Sequence, residues 1–316
     1  MSPSSPARAE AAAAPPILVL GNVNVDLVLG PLDGWPAIGT EIEVERAEMR
    51  AGGSAGNTAL ALTGLGEPHR LVASTGDGPN GVWLRGRFDA ASCDWSDDPG
   101  MTTTTVGIVH KGGDRVFLTT PGHLQRATPE ALLARVPAAP RPGAVAILSG
   151  NLLMPAIRAA TTRILGELRA RGWATAIDPG WPTQGWTPLL RTTFGEWLPL
   201  ADHVLLNEDE VAALGEGMGS GAVAAQLRPG GILVVKRGAA GASCMVDGAE
   251  SIVSAPVVDV VDTVGAGDSF NAAYLAAIVA GATPDSAIAR GVEVASHAIS
   301  TFPRSYGKAG RFVAQQ

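Results

Sequence analysis

Pro256-Val-Val-Asp-Val-Val-Asp262 runs into Thr-Val-Gly-Ala-Gly-Asp268, and from Ser269 the chain turns apolar as far as Ala280. The pattern predicts a strand over 256–261, a glycine turn, and a helix over 269–280. Gly265 and Gly267 would let the backbone come close to an anion. The amides of the helix's first turn have no partner within the helix and point at that anion along the favourable end of the dipole. Asp268 sits oddly in such a cradle, because a carboxylate there repels phosphate. It belongs if it takes the proton from a hydroxyl attacking a γ-phosphate. The competing reading makes it an ordinary helix N-cap.

Working outward, five short apolar runs recur: Ile17–Gly21, Ala144–Ser149, Ala174–Asp178, His203–Asn207 and Ile232–Lys236. They read as buried parallel strands. Between them lie helical patterns, such as Pro155 to Arg171 with its stripe of Ile157, Thr161, Ile164, Leu165 and Leu168, and Glu208 to Leu214. Strand alternating with helix implies an α/β layer fold with ligands at the carboxyl ends of the strands. Two stretches break the rhythm, Gly39 to Arg50 and Thr102 to Thr120. Both resemble half-exposed antiparallel strands, either a small second sheet or an edge hairpin.

Polar residues collect where those runs end. Ala51-Gly-Gly-Ser-Ala-Gly-Asn57 opens an apolar helix and could set backbone amides and the Asn57 side chain against a small polar ligand, or serve a close helix contact. Asn24 and Asp26, just past the first strand, suit vicinal hydroxyls or form a polar loop. Asn207 and Glu210, one helical turn apart, could orient magnesium-bound water beside phosphates or cap the helix. Lys236-Arg-Gly-Ala-Ala-Gly241 suits a nucleotide's phosphate tail or a surface turn.

Composition narrows the classes. Lys and Arg number 23 against 30 Asp and Glu, for a net charge of -7, and no basic run occurs, which argues against nucleic acid as a partner. Hydrophobic residues at 46% exclude a disordered chain. Cys93 and Cys244 are the two cysteines and are far apart, so neither a disulfide scaffold nor a zinc cluster is expected, and a reducing cytoplasm is. Met1 to Pro16 reads as a disordered leader without the build of a signal peptide. The longest near-apolar stretch, Ala272 to Ala282, is too short to span a bilayer.

Taken in order, these segments resemble the ribokinase-like (PfkB) carbohydrate kinases. Asp262 to Asp268 is similar to that family's C-terminal signature and Ala51 to Asn57 to its N-terminal diglycine motif. Asn207 to Glu210 and Lys236 to Gly241 are similar to its Asn-x-x-Glu and Lys-x-Gly-x-x-Gly segments. The resemblance implies an α/β fold: a central, mostly parallel sheet with helices on both faces and a small β-sheet lid. It implies one kinase domain over 17–316, with lid insertions near 31–50 and 100–121. The implied activity is ATP-dependent phosphorylation of a primary hydroxyl on a small sugar, with a nucleoside kinase or a non-catalytic sensor as alternatives. It makes Asp268 the base and places the amides of Gly265, Ala266 and Gly267 in the anion hole. Asn24, Asp26, Gly53 and Asn57 would hold substrate, with Arg115 on the lid either reaching it or forming a solvated turn charge. Asn207 and Glu210 would serve magnesium and phosphates, and Lys236, Gly238 and Gly241 the nucleotide. Potassium at Asp262 and the Val264 carbonyl, and a homodimer through the lid, follow from the same resemblance.

The chain departs from the family in places that bear on substrate. Ser54 replaces a Lys of ribokinase itself, and Gly150-Asn151 replaces its ribose-binding Glu. Asp178-Pro-Gly-Trp-Pro182 resembles the Asp-Pro-Asn-x-Arg stretch of fructokinases and sugar-acid kinases, with Gly180 and Pro182 in place of the Asn and Arg. Glu293 or Val294 falls where some members carry an adenine-side Asn. A dinucleotide oxidoreductase is a poor fit, since the first strand runs into Gly21-Asn-Val-Asn rather than GxGxxG, and no GxxxxGK[ST] loop occurs.

Overall fold

The computed structural model describes residues 14–111, 115–215 and 218–307; of the leader, only 14–16 fall among them. Among the described residues thirteen strands are formed: β1 (Ile17–Gly21), β2 (Asn24–Leu32), β3 (Arg46–Gly52), β4 (His69–Gly76), β5 (Cys93–Asp98), β6 (Thr104–His110), β7 (Arg115–Thr119), β8 (Val145–Ser149), β9 (Ala174–Asp178), β10 (His203–Asn207), β11 (Ile232–Lys236), β12 (Ala242–Val246) and β13 (Ala249–Val253). Nine of them form one sheet in the order β13-β12-β11-β10-β9-β8-β1-β4-β5, parallel except where β12 meets β11 and β13. The other four form a separate sheet, β3-β2-β6-β7.

Both faces of the large sheet are covered, which is why its strands read as continuous apolar runs. Successive residues of β1 alternate between two cores. Ile17 and Val19 face the helices Ser54–Leu65, Ala266–Val279 and Pro284–Ile299, while Leu18 and Leu20 face Leu132, Ile157, Ile164 and Leu168 on the other side. The sheet's order reverses direction between β1 and β8, and a crevice opens beyond the strand ends at such a switch point. Asn22, Asp178, Asn207 and Lys236 all lie at or just past those carboxyl ends.

Four readings change. Pro256–Val261 is not a strand: Val257, Val260 and Val261 are exposed, and the segment runs beside the Pro284–Ile299 helix, where the Val261 and Asp262 N–H groups donate to the Ile299 carbonyl at 2.8 and 3.1 Å. β branching made the run look like a strand, but the N–H groups of Val261 and Asp262 go to a helix end instead of to a neighbouring strand. Glu41 to Glu45 alternates without forming a strand, because β3 pairs with β2 only from Gly30↔Arg46 onward and Pro31 has no N–H to extend the ladder. Asn24 and Asp26 lie on β2 of the small sheet rather than in a loop, so that sheet begins at Asn24 and draws on more than the two inserted stretches. The long helical pattern after Pro155 is two helices, Pro155–Ala159 and Thr161–Ala170.

Candidate active site

Two helix N-termini converge in the crevice. The Ala266–Val279 helix is buried on nearly every side, and Gly265, in the left-handed region at φ 74°, is its N-cap. Asp268 is therefore its third residue and not its cap. Its Oδ2 accepts a hydrogen bond from Nδ2 of Asn57 at 2.8 Å, and Asn57 lies in the first turn of the Ser54–Leu65 helix, 211 residues earlier. Burial, then the charge of Asp178, pushes the Asp268 carboxyl up to about 7. The Ala266 N–H bonds back to the Thr263 carbonyl at 3.2 Å, whereas no acceptor among the described residues meets the N–H groups of Gly265 and Gly267.

The root of the small sheet closes over this point. Gly53 packs so tightly that a Cβ there would lie 2.5 Å from the Asn22 carbonyl and 2.8 Å from Oδ1 of Asn24. Asn24 Nδ2 donates to Asp26 Oδ1 at 2.5 Å and to Thr105 Oγ1 at 3.2 Å. Burial raises the Asp26 carboxyl to about 6 against the opposing pull of Asn24 and Arg50. Arg115 starts β7 opposite Val109, four residues and roughly 13 Å of strand from Thr119, the residue that meets Thr105 at the root, and its side chain lies outside the described residues.

On the other flank the ends of β9, β10 and β11 bring charges together. Lys236 Nζ donates to Asp178 Oδ2 at 2.8 Å and to Asn271 Oδ1 at 3.3 Å, and Asn271 Nδ2 also binds Asp178. Burial works against the Lys236 ammonium, yet Asp178 and Glu210 outweigh it and hold its pKa above the ordinary lysine value. The ammonium lies 3.4 Å from where a Cβ on Gly267 would sit, so it faces the anion turn. Asn207 and Glu210 form a capping box: Oδ1 of Asn207 accepts from the Glu210 N–H, and Oε2 of Glu210 accepts from the Asn207 N–H, both at 2.8 Å. Burial, then Asp178, pushes the Glu210 carboxyl up. Three carboxylates, Asp178, Glu210 and Asp268, thus share one lysine, and that surplus of negative charge fits a divalent cation. Among the described residues no three acidic, histidine or cysteine side chains converge as a ligand set, so such an ion fits only if phosphates supply most of its oxygens.

Beyond Lys236, Gly238 and Gly241 turn the chain into β12, and a Cβ on Gly241 would meet the Val253 carbonyl at 2.0 Å. That contact brings the turn against a cavity of about 350 Å³ whose walls include Val253, Pro256, Val258, Val292, Glu293 and His297. Sequence reasoning reached Glu293 but missed the rest, because the valines looked like core. It also missed Asn271, whose amide lies inside an apolar helix pattern. Asp262 and Val264 lie at the start of the turn; Val264 N–H donates to Oδ1 of Asp262 at 3.0 Å, and the other carboxylate oxygen takes Arg50.

A model of the pfkB family carbohydrate kinases matches residues 15–303. An ATP-dependent ribose-1-phosphate kinase of Halopiger xanaduensis is 30% identical over 268 residues, 82% of this chain and 83% of that one. The ribokinase of Arabidopsis thaliana, solved with ribose and ATP, superposes with a TM-score of 0.73 at 22% identity, covering 91% of this chain and 93% of that chain. A Burkholderia thailandensis nucleoside kinase solved with inosine gives 0.72 at 20% identity over 92% and 93%.

Proposed function

Since the chain belongs to the pfkB family of carbohydrate kinases, we propose that it moves the γ-phosphoryl group of ATP to a primary hydroxyl of a small sugar or sugar derivative, with Asp268 as general base. The observation that carries this reading is the Asn57–Asp268 hydrogen bond. It joins the two glycine loops and leaves Oδ1 of a carboxylate poised near neutral pH to face the acceptor. Asn24, Asp26 and the backbone at Gly53 hold the acceptor's other hydroxyls from the lid root. The free amides at Gly265 and Gly267, with the Lys236 ammonium beside them, receive the charge that develops on the transferred group. Adenine occupies the cavity between 253–258 and the Pro284–Ile299 helix, and the phosphates run past Gly241, Gly238 and Lys236 to the turn. Asn207 and Glu210 would hold magnesium through water beside those phosphates, and the ion would supply positive charge against the phosphate oxygens.

Coupled ADP release across pentoses, pentose 1-phosphates, hexoses, sugar acids and nucleosides tests the reading. One sugar class should turn over, and Asp26→Asn should raise its KM about tenfold. Preference for a nucleoside would substitute that acceptor. Ligand-raised melting with no ADP release from any acceptor would leave a sensor.

We propose that the chain forms one domain with its lid and works in the cytoplasm, where the free thiols of Cys93 and Cys244 stay reduced. Among the described residues no helix is long and apolar enough to cross a membrane. Met49 and Leu118 are exposed on the lid strands, and we take that face as the seat of a second copy. Sedimentation at micromolar concentration should give twice the chain mass; the mass of a single chain would remove the dimer.

A further inference from the structure

Asp262 opens the anion turn at the position where the family resemblance implies a potassium ion, and the groups around it do not fit one. Its Oδ2 is bound by Nη1 of Arg50 and lies 3.5 Å from Nη2 of Arg46 and 3.6 Å from Nη2 of Arg304. Its Oδ1 accepts the Val264 N–H, and its backbone carbonyl accepts Nη2 of Arg304 at 3.4 Å. Burial would raise the Asp262 carboxyl, but the Val264 N–H and the arginines more than reverse this, so the group stays charged. Glu48 is the other carboxylate in the cluster, pairing with Arg46 at 2.8 Å and Arg50 at 2.7 Å. Three guanidinium groups and the Val264 N–H thus occupy both carboxylate oxygens and the carbonyl of Asp262, the oxygens a potassium ion would need there.

The three arginines come from two separate parts of the chain. Arg46 and Arg50 lie on lid strand β3, while Arg304 follows the last helix. Phe302 lies under the Arg46 guanidinium at 5.8 Å, and Nη1 of Arg304 comes within 2.9 Å of where a Cβ on Gly265 would be. Arg304 also lowers the Asp268 pKa against the stronger push of burial.

We propose that Arg50 and Arg304, assisted by Arg46, are the built-in cation of this turn: they fix Asp262 through Gly265 as a potassium ion would, so the chain needs no monovalent metal. The proposal rests on the kinase reading. It also ties the lid to the turn, because Arg50 is opposite Asp26 in the β2–β3 register. These arginines are positioning residues and touch no reacting atom.

The test compares potassium chloride with tetramethylammonium chloride at equal ionic strength. Wild-type ADP release should agree within twofold and the melting temperature within about 1 °C. Arg304→Ala should lose at least tenfold in kcat and regain part of it with millimolar guanidinium, which a merely structural lesion would not do. Arg50→Lys, which keeps a charge, guards against a variant that does not fold, and it too should remain indifferent to potassium. Tenfold activation or a melting rise of several degrees that is specific to potassium in the wild type would overturn the proposal. So would an Arg304→Ala enzyme with normal turnover. If no acceptor yields ADP in any salt, the kinase reading fails by itself, and the melting comparison still decides whether potassium binds.

Discussion

Asp268→Asn should cut kcat on the order of 10³-fold while nucleotide affinity stays within a few-fold of wild type. Asn keeps the side chain's shape, and its oxygen can still accept from Asn57, so the convergence of the two helix ends survives. What disappears is the lone pair that takes the acceptor's proton. The same substitution has a second signature. The Asp268 carboxyl is raised to about 7 in the folded protein, against 3.8 unperturbed, so the native state holds a proton that the unfolded chain releases. Stability therefore falls as pH climbs through that window, and Asn removes the loss. At pH 8 the variant should melt above wild type, by something on the order of 2–4 kcal/mol, and the difference should vanish near pH 4. In the wild type the acidic limb of kcat/KM should fall near pH 7. A variant that turns over at near-normal rate would end the general-base assignment. A variant that is inactive but no more stable at pH 8 would mean that Asp268 ionises without penalty.

The chemistry was more legible in the sequence than the walls around it. Gly265, Gly267 and Asp268 stand together in one short segment, and such spacing survives whatever the chain does elsewhere. The five central strands were legible because they are buried on both faces and almost wholly apolar, with Thr175 the polar residue inside them. Pro256–Val261 misled because β-branched residues signal a half-buried surface, and here that surface is a helix and a cavity rather than a sheet. Asn24 and Asp26 were placed just past the first strand, with no strand of their own, because Gly21 looks like a terminus. In fact the chain bends there and immediately begins a strand of the other sheet. The arginine cluster at Asp262 was invisible, since it depends on lid and C-terminal residues more than 200 positions apart. Asp178, Lys236 and Asn271 likewise meet only because β9, β11 and a helix are packed side by side.

That last meeting gives the second large effect. Lys236→Met should lower kcat by about 10²–10³-fold, as removal of one preorganised donor from a developing oxyanion does, and not simply raise the KM for ATP. The distinction matters because the sequence placed Lys236 with the nucleotide tail, whereas its ammonium faces Gly267 and is held there by Asp178 and Asn271. Removing the ammonium also leaves Asp178, Glu210 and Asp268 without their shared counter-charge, and breaking a buried pair in this way costs about 3–5 kcal/mol. The Lys236 charge lowers the Asp268 pKa, so its loss should move the acidic limb of kcat/KM to higher pH. Asp178→Asn removes the negative charge that raises Asp268 and should shift the limb the opposite way. Opposed shifts in the two variants can arise only if both charges act on the base through space. If Lys236→Met instead keeps kcat and the pH profile while weakening ATP binding alone, the lysine serves the nucleotide tail, and the anion turn works through its backbone amides.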